Sequence, residues 1–107
     1  MIINEPEFQA LAEKIMGSLY DSLEKADAGG HLELEHEAGV MTITLPDGKQ
    51  FVVSKHAPTR QIWLSSPVSG GLHFSYKEGA WSLEDGRALP SVLLQELKIL
   101  SKVPLPF

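Results

Sequence analysis

The residues with the clearest chemical potential are carboxylates near the start of the chain. Glu13, Asp21 and Glu24 recur at spacings that place them on one side of a helix, beside its apolar stripe. Asp27 follows at the end of that segment, and Glu33, Glu35 and Glu37 alternate along the next one, so that they project from a single strand face. Crowded carboxylates repel one another, and a hard cation relieves that repulsion through oxygen ligands suited to Ca, Mg, Mn or iron. His31 stands beside these acids and can join such a cation site. The plain alternative is a solvated acidic face that keeps the protein soluble.

Other chemistries find less support. The remaining histidines, His36, His56 and His73, show no i, i+4 pairing and no HExxH pattern. Serines are plentiful, yet there is no GxSxG elbow, and the SGG at 69–71 lacks the lysine and the following helix of a phosphate loop. Ser65 and Ser66 read as turn formers before Pro67. With no cysteine in the chain, disulfides, thiolate metal sites and cysteine nucleophiles are excluded. Trp63 is the last candidate. In QIWLS, Ile62 and Leu64 share one face of a strand, while Gln61, Trp63 and Ser65 share the other. If the apolar pair faces a core, the tryptophan lies on an open surface, where it is a candidate protein-binding anchor.

The elements that position these residues are legible from period and punctuation. NEPEFQALAEKIMGSLYDSLEKAD carries Phe8, Leu11, Ala12, Ile15, Met16, Leu19 and Leu23 at helical spacing. Asn4 and Glu7 form a variant capping box at its start, Gly17 weakens its middle, and AGG at 28–30 ends it. Six strands are then expected: HLELEHE, GVMTITL, KQFVVS after a PDG turn, QIWLSS after a HAPTR connection, GLHFSY, and a short WSL. His36 falls on the inward face of the first. LPSVLLQELKIL forms a second helix, with Leu89, Val92, Leu93, Leu97 and Leu100 inward, and SKVPLPF is a short tail with two prolines. The resulting fold class is α+β: one domain, residues 1–107, a two-layer sandwich with two helices on one face of an antiparallel meander of about six strands.

Charge narrows the partners. Residues 1–37 hold nine acids and two lysines, whereas residues 38–107 hold five acids and seven bases, so the net charge of -5 belongs to one end. That field disfavours phosphate backbones, and hence nucleic acid, and it attracts cations and basic protein surfaces. No apolar run approaches the ~20 residues of a membrane span, and the start shows neither a secretion signal nor an Arg-rich transit pattern. No membrane partner is expected. The reading is of a cytoplasmic protein, bacterial in preference to the mitochondrial matrix.

QIWLSSPVSGGLHFSY, followed by WSLEDG and a Leu-rich terminal helix, resembles the frataxin (CyaY) family, and the whole chain matches in order: acidic helix, GVMTITL, hairpin, SKHAPTRQIWLSSPVSG, FSY, W and LLQEL. The resemblance implies an iron-binding protein of iron–sulfur cluster assembly that docks on the cysteine desulfurase and the cluster scaffold, regulating sulfur transfer or supplying iron. Trp63 would anchor the contact, with Thr59, Arg60 and Gln61 as polar neighbours and His73 toward the scaffold. Asp21, Glu24, Asp27 and Glu33 match the family's weak iron-binding ridge, which also meets a basic surface of the desulfurase. The chain departs from the family at Lys25 and His31, where relatives often carry acids, and at Ser54 and His56, where the sheet surface often carries amides. No resident metal cage and no catalytic residue are expected, and a monomer is the default. The alternative is a ferroxidase that stores iron in iron-dependent oligomers, although the Glu and Glu-x-x-His helix-bundle ligands of di-iron oxidases are absent here.

Overall fold

A computed structural model describes residues 3–27 and 30–100. Helix α1 spans Glu5–Ala26, and six strands follow: β1 (Glu33–Glu37), β2 (Val40–Thr44), β3 (Gln50–His56), β4 (Gln61–Ser66), β5 (Gly70–Lys77) and β6 (Ala80–Ser82). Helix α2, Leu89–Leu100, closes the order. Each strand pairs antiparallel with the next, and the spatial order β1-β2-β3-β4-β5-β6 leaves β1 and β6 at the edges. This is the expected meander with two helices. Most of the expected helix stop at 28–30 and the whole SKVPLPF tail lie outside the described residues.

Local chemistry explains the boundaries. Asn4 Oδ1 accepts from the Glu7 amide at 2.9 Å, and the Glu7 carboxylate accepts in return from the Asn4 amide. Two of the orphan donors at the helix start are thereby satisfied. The turns at Leu45–Lys49 and Leu83–Arg87 share one solution. In each, the leucine exchanges backbone hydrogen bonds across the turn, an aspartate accepts from the amide two residues on, and a glycine takes positive φ, 91° at Gly48 and 93° at Gly86.

The core lies between the helices and one face of the sheet. Helix α1 buries Phe8, Ala12, Met16, Leu19 and Leu23; Leu11 and Ile15 of the expected stripe are only partly buried. Beneath it the sheet contributes Met41, Ile43, Phe51, Val53, Ile62, Leu64 and Phe74, all 0–1% exposed. Each such side chain contributes about 1.5–3 kcal/mol through removal of apolar surface from water. Helix α2 adds Leu89, Val92, Leu93 and Leu97, with Leu100 at the margin.

One boundary differs from the sequence expectation and bears on the site. The HAPTR segment reads as a connection, yet β3 continues through His56, because Lys55 and His56 extend the ladder opposite Ile62 and Gln61. Only Ala57–Thr59 turn, as a short 3-10 helix, and Arg60 then takes a left-handed conformation with φ 54° to re-enter β4. His56 is therefore a sheet residue whose alternation places it on the same face as Ser54.

Candidate docking face and acidic edge

With both helices on one side, the other face of the sheet is left open by the described residues. Strand alternation and register set its contents. Glu37, Val40, Ser54, Trp63 and His73 form one continuous row across β1 to β5. The neighbouring row toward the β3–β4 connection carries His56, Gln61, Ser75 and Ser82.

Trp63 lies at the centre of this face, as the Ile62/Leu64 alternation implies, and it is held from three directions. His73, directly opposite on β5, stacks on one side of the indole with centroids 4.2 Å apart and planes 14° from parallel. His56 reaches over from the adjacent row and stacks with centroids 3.7 Å apart, also at 14°. Ser54, directly opposite Trp63 on β3, is small enough to leave that diagonal open. The indole N–H donates to Gln61 Oε1 at 3.1 Å, and Gln61 Nε2 donates onward to Ser75 Oγ at 3.2 Å. Thr59 Oγ1 is 2.8 Å from His56 Nδ1. Three aromatic rings thus stand parallel, with a hydrogen-bonded frame at their base. Stacked aromatic pairs contribute about 0.5–1.5 kcal/mol beyond area burial, so the indole is pre-oriented before any partner arrives.

The other expected contact residues divide. Thr59 is exposed beside the stack. Arg60 turns inward: Nη1 donates to the Ala57 carbonyl, and Nε is buried with no partner. Its guanidinium therefore closes the 3-10 turn instead of standing free. Next to His73, a concavity lined by Gln61, Ser75, Lys77, Ser82, Glu84 and Arg87 continues the face toward β6.

The carboxylates gather at the β1 edge, but in two rows. Glu33, Glu35 and Glu37 are exposed on the free face, since Leu34 and His36 alternate toward the helices. Asp21 and Glu24 are exposed on α1, on the helix side of the sheet. Tyr20 and His36 fill the seam between α1 and β1, with ring centroids 6.2 Å apart. His31 is exposed at the start of the edge. Asp27 has its two carboxylate oxygens on the amides of His31 and Leu32, at 2.9 and 2.6 Å, and so staples the helix exit. Glu13 is paired with Lys55 at 2.5 Å, whose ammonium also donates to Gln9. That hydrogen bond holds the Glu13 carboxyl below its usual range. Among the described residues, no three His, Asp or Glu side chains converge to hold an ion. The free acids are suited to loose, solvent-shared cation contacts and to a basic surface.

Sequence reasoning missed Glu96. It is 7% exposed, accepts from Ser66 Oγ and from Ser69 Oγ at 3.0 Å, and so ties α2 to the β4–β5 turn. The signal was present, because 96 falls with 89, 92, 93 and 97 on the inward side of α2.

The comparisons agree with this architecture. The frataxin-like domain model matches residues 1–102. A frataxin of the CyaY family from Psychromonas ingrahamii superposes with TM-score 0.85 at 20% identity, covering 96% of both chains, which speaks to the fold. Trimeric frataxin from Saccharomyces cerevisiae, complexed with ferrous iron, is 34% identical over 83% of each chain, with TM-score 0.71. A further yeast frataxin structure is 33% identical over 87% of this chain and 79% of its own, with TM-score 0.72. Family model and fold converge along the described length: the chain belongs to the frataxin (CyaY) family.

Proposed function

We propose that this protein is an iron-responsive binding protein of iron–sulfur cluster assembly, which docks its free sheet face on the cysteine desulfurase–scaffold complex and modulates sulfur transfer or supplies iron. The observation that carries the reading is the framed Trp63 at the centre of an otherwise unoccupied sheet face, with an acidic edge alongside. A pre-oriented aromatic suits a binding hot spot, and rim charge sets orientation and on-rate. In this reading Asp21, Glu24, Glu33, Glu35 and His31 carry loosely bound iron and meet a basic partner, while Trp63, Gln61, Thr59, Ser54, His56 and His73 form the contact. Glu13 and Asp27 act first as structural acids, given their partners.

The test measures desulfurase–scaffold binding by calorimetry for Trp63→Ala and for Asp21→Lys/Glu24→Lys/Glu33→Lys. Trp63→Ala is expected to weaken binding by at least about 30-fold, a hot-spot loss of about 2 kcal/mol. The charge reversal is expected to slow association most at low salt. Neither variant changing binding would remove this assignment of surfaces. A second reading, iron-dependent oligomers that store iron, draws support from the trimeric yeast relative complexed with ferrous iron. Light scattering during Fe(II) addition, with and without air, separates it from the first.

A further inference from the structure

The two imidazoles that clamp Trp63 do more than orient it. Both faces of the indole are covered, at 3.7 Å by His56 and 4.2 Å by His73, so a partner meets the outer edges of three parallel rings. Two of those rings are imidazoles, the side chain proteins most often use as a proton-sensitive group. Thr59 Oγ1 donates to the His56 carbonyl at 3.4 Å and lies 2.8 Å from His56 Nδ1, so the ring is tethered through one nitrogen.

Resting on the docking reading above, we propose that His56 and His73 make docking at Trp63 proton-linked: the neutral stack binds the partner and the protonated stack releases it. Protonation places positive charge at the centre of a face whose β1 edge, with Glu33, Glu35 and Glu37, selects a basic partner.

The surrounding charges do not cancel that change. From the β3–β4 connection the nearby charge is Arg60, another cation, folded onto Ala57. From β5 comes Lys77, and from the turn after β6 come Glu84, Asp85 and Arg87, which share a concavity with His73. Within that group, Asp85 is already paired with Arg87 at 2.9 Å. Glu37 stands at the far end of the Trp63 row, beyond Val40 and Ser54. Lys55, next to His56 in sequence, points to the helix side and is held by Glu13 and Gln9.

The test has two readouts. The Trp63 indole N–H signal is followed by NMR from pH 8 to pH 6, with the buried Trp81 as an internal reference for intact packing. Binding of the desulfurase–scaffold complex is measured at both ends, for wild type and for His56→Gln/His73→Gln. In wild type the Trp63 signal moves and Trp81 stays, and binding is severalfold weaker at pH 6 than at pH 8, the direction expected when a proton must leave on docking. The double variant, which keeps planar side chains without the titration, binds with the same affinity at both pH values. Wild-type binding equal at pH 6 and 8, or a pH dependence retained in the double variant, overturns the proposal. If wild type binds at neither pH, the docking reading fails on its own account. The indole titration then decides the proton link, and an unmoved Trp63 signal overturns it.

Discussion

At the scale of single residues, one acid of the expected ridge also has a structural partner. Glu13 reads as part of an acidic ridge, yet Lys55 crosses from β3 to meet it. The lysine stem passes over Gly39, where an added Cβ would stand 2.6 Å from Lys55 Cε. Gly39 therefore carries two demands, a positive φ of 77° and room for that stem. Gly48, at φ 91°, has only the first, since nothing lies within 4 Å of its Cβ position. Gly39→Ala is expected to destabilise more than Gly48→Ala in urea unfolding. Both substitutions carry about 1–2 kcal/mol of left-handed strain, and the excess vanishes in a Lys55→Ala background. An equal loss at the two glycines would contradict the packing argument. The Glu13 pair has a defined pH sense. Its folded-state carboxyl is depressed, so its contribution is present above the usual carboxylate range and is lost as pH falls below that range through the lowered folded-state value. With the Glu13 side chain 52% exposed, solvent keeps the contribution small, below about 1 kcal/mol.

At the scale of elements, apolar periodicity explains most of the fold, and the exceptions are polar. Helix α1, with its Asn4–Glu7 box, and the alternation in QIWLS were readable because each inward position repeats at a period the backbone enforces. The His56–Trp63–His73 stack was not, since it depends on cross-strand register and on β3 running two residues further than its apolar pattern. The split of the carboxylates into two rows depends likewise on β1 lying at the edge between α1 and the free face. Glu96 is the clearest case: composition favours an exposed glutamate, while helical spacing directs this one inward, and the serines that receive it lie 30 and 27 residues earlier. Ser66 Oγ donates to that carboxylate and accepts from the amides of Val68 and Ser69. Ser66→Ala leaves buried polar groups short of partners and is expected to cost about 1–3 kcal/mol. Ser69→Ala, which removes a single hydrogen bond at the exposed end of the turn, is expected to cost less. Urea midpoints that place Ser69→Ala at or above Ser66→Ala would contradict this account of the α2 link.

At the scale of the whole molecule, the two layers divide labour. The helices close one face of the sheet around the core, which leaves the other face to carry Trp63. Of the nine acids in residues 1–37, Asp21, Glu24, Glu33, Glu35 and Glu37 form a charged edge because α1 and β1 pack side by side. Net charge alone would say only that nucleic acid is disfavoured and cations are attracted. The fold turns that composition into a direction across the molecule, from an acidic edge to an aromatic centre. In the proposed function, edge and centre are two parts of one working surface, the edge meeting iron and the centre meeting the partner. The most direct test is an anaerobic Fe(II) titration of isotope-labelled protein by NMR, followed by addition of the desulfurase. Iron-induced changes are expected only in α1 and β1, around Asp21, Glu24, Glu33 and Glu35, followed by desulfurase-induced changes extending across the sheet to the Trp63 indole. Iron effects centred on the core or on the β5–β6 side, or a desulfurase footprint that leaves Trp63 unmoved, would contradict that reading.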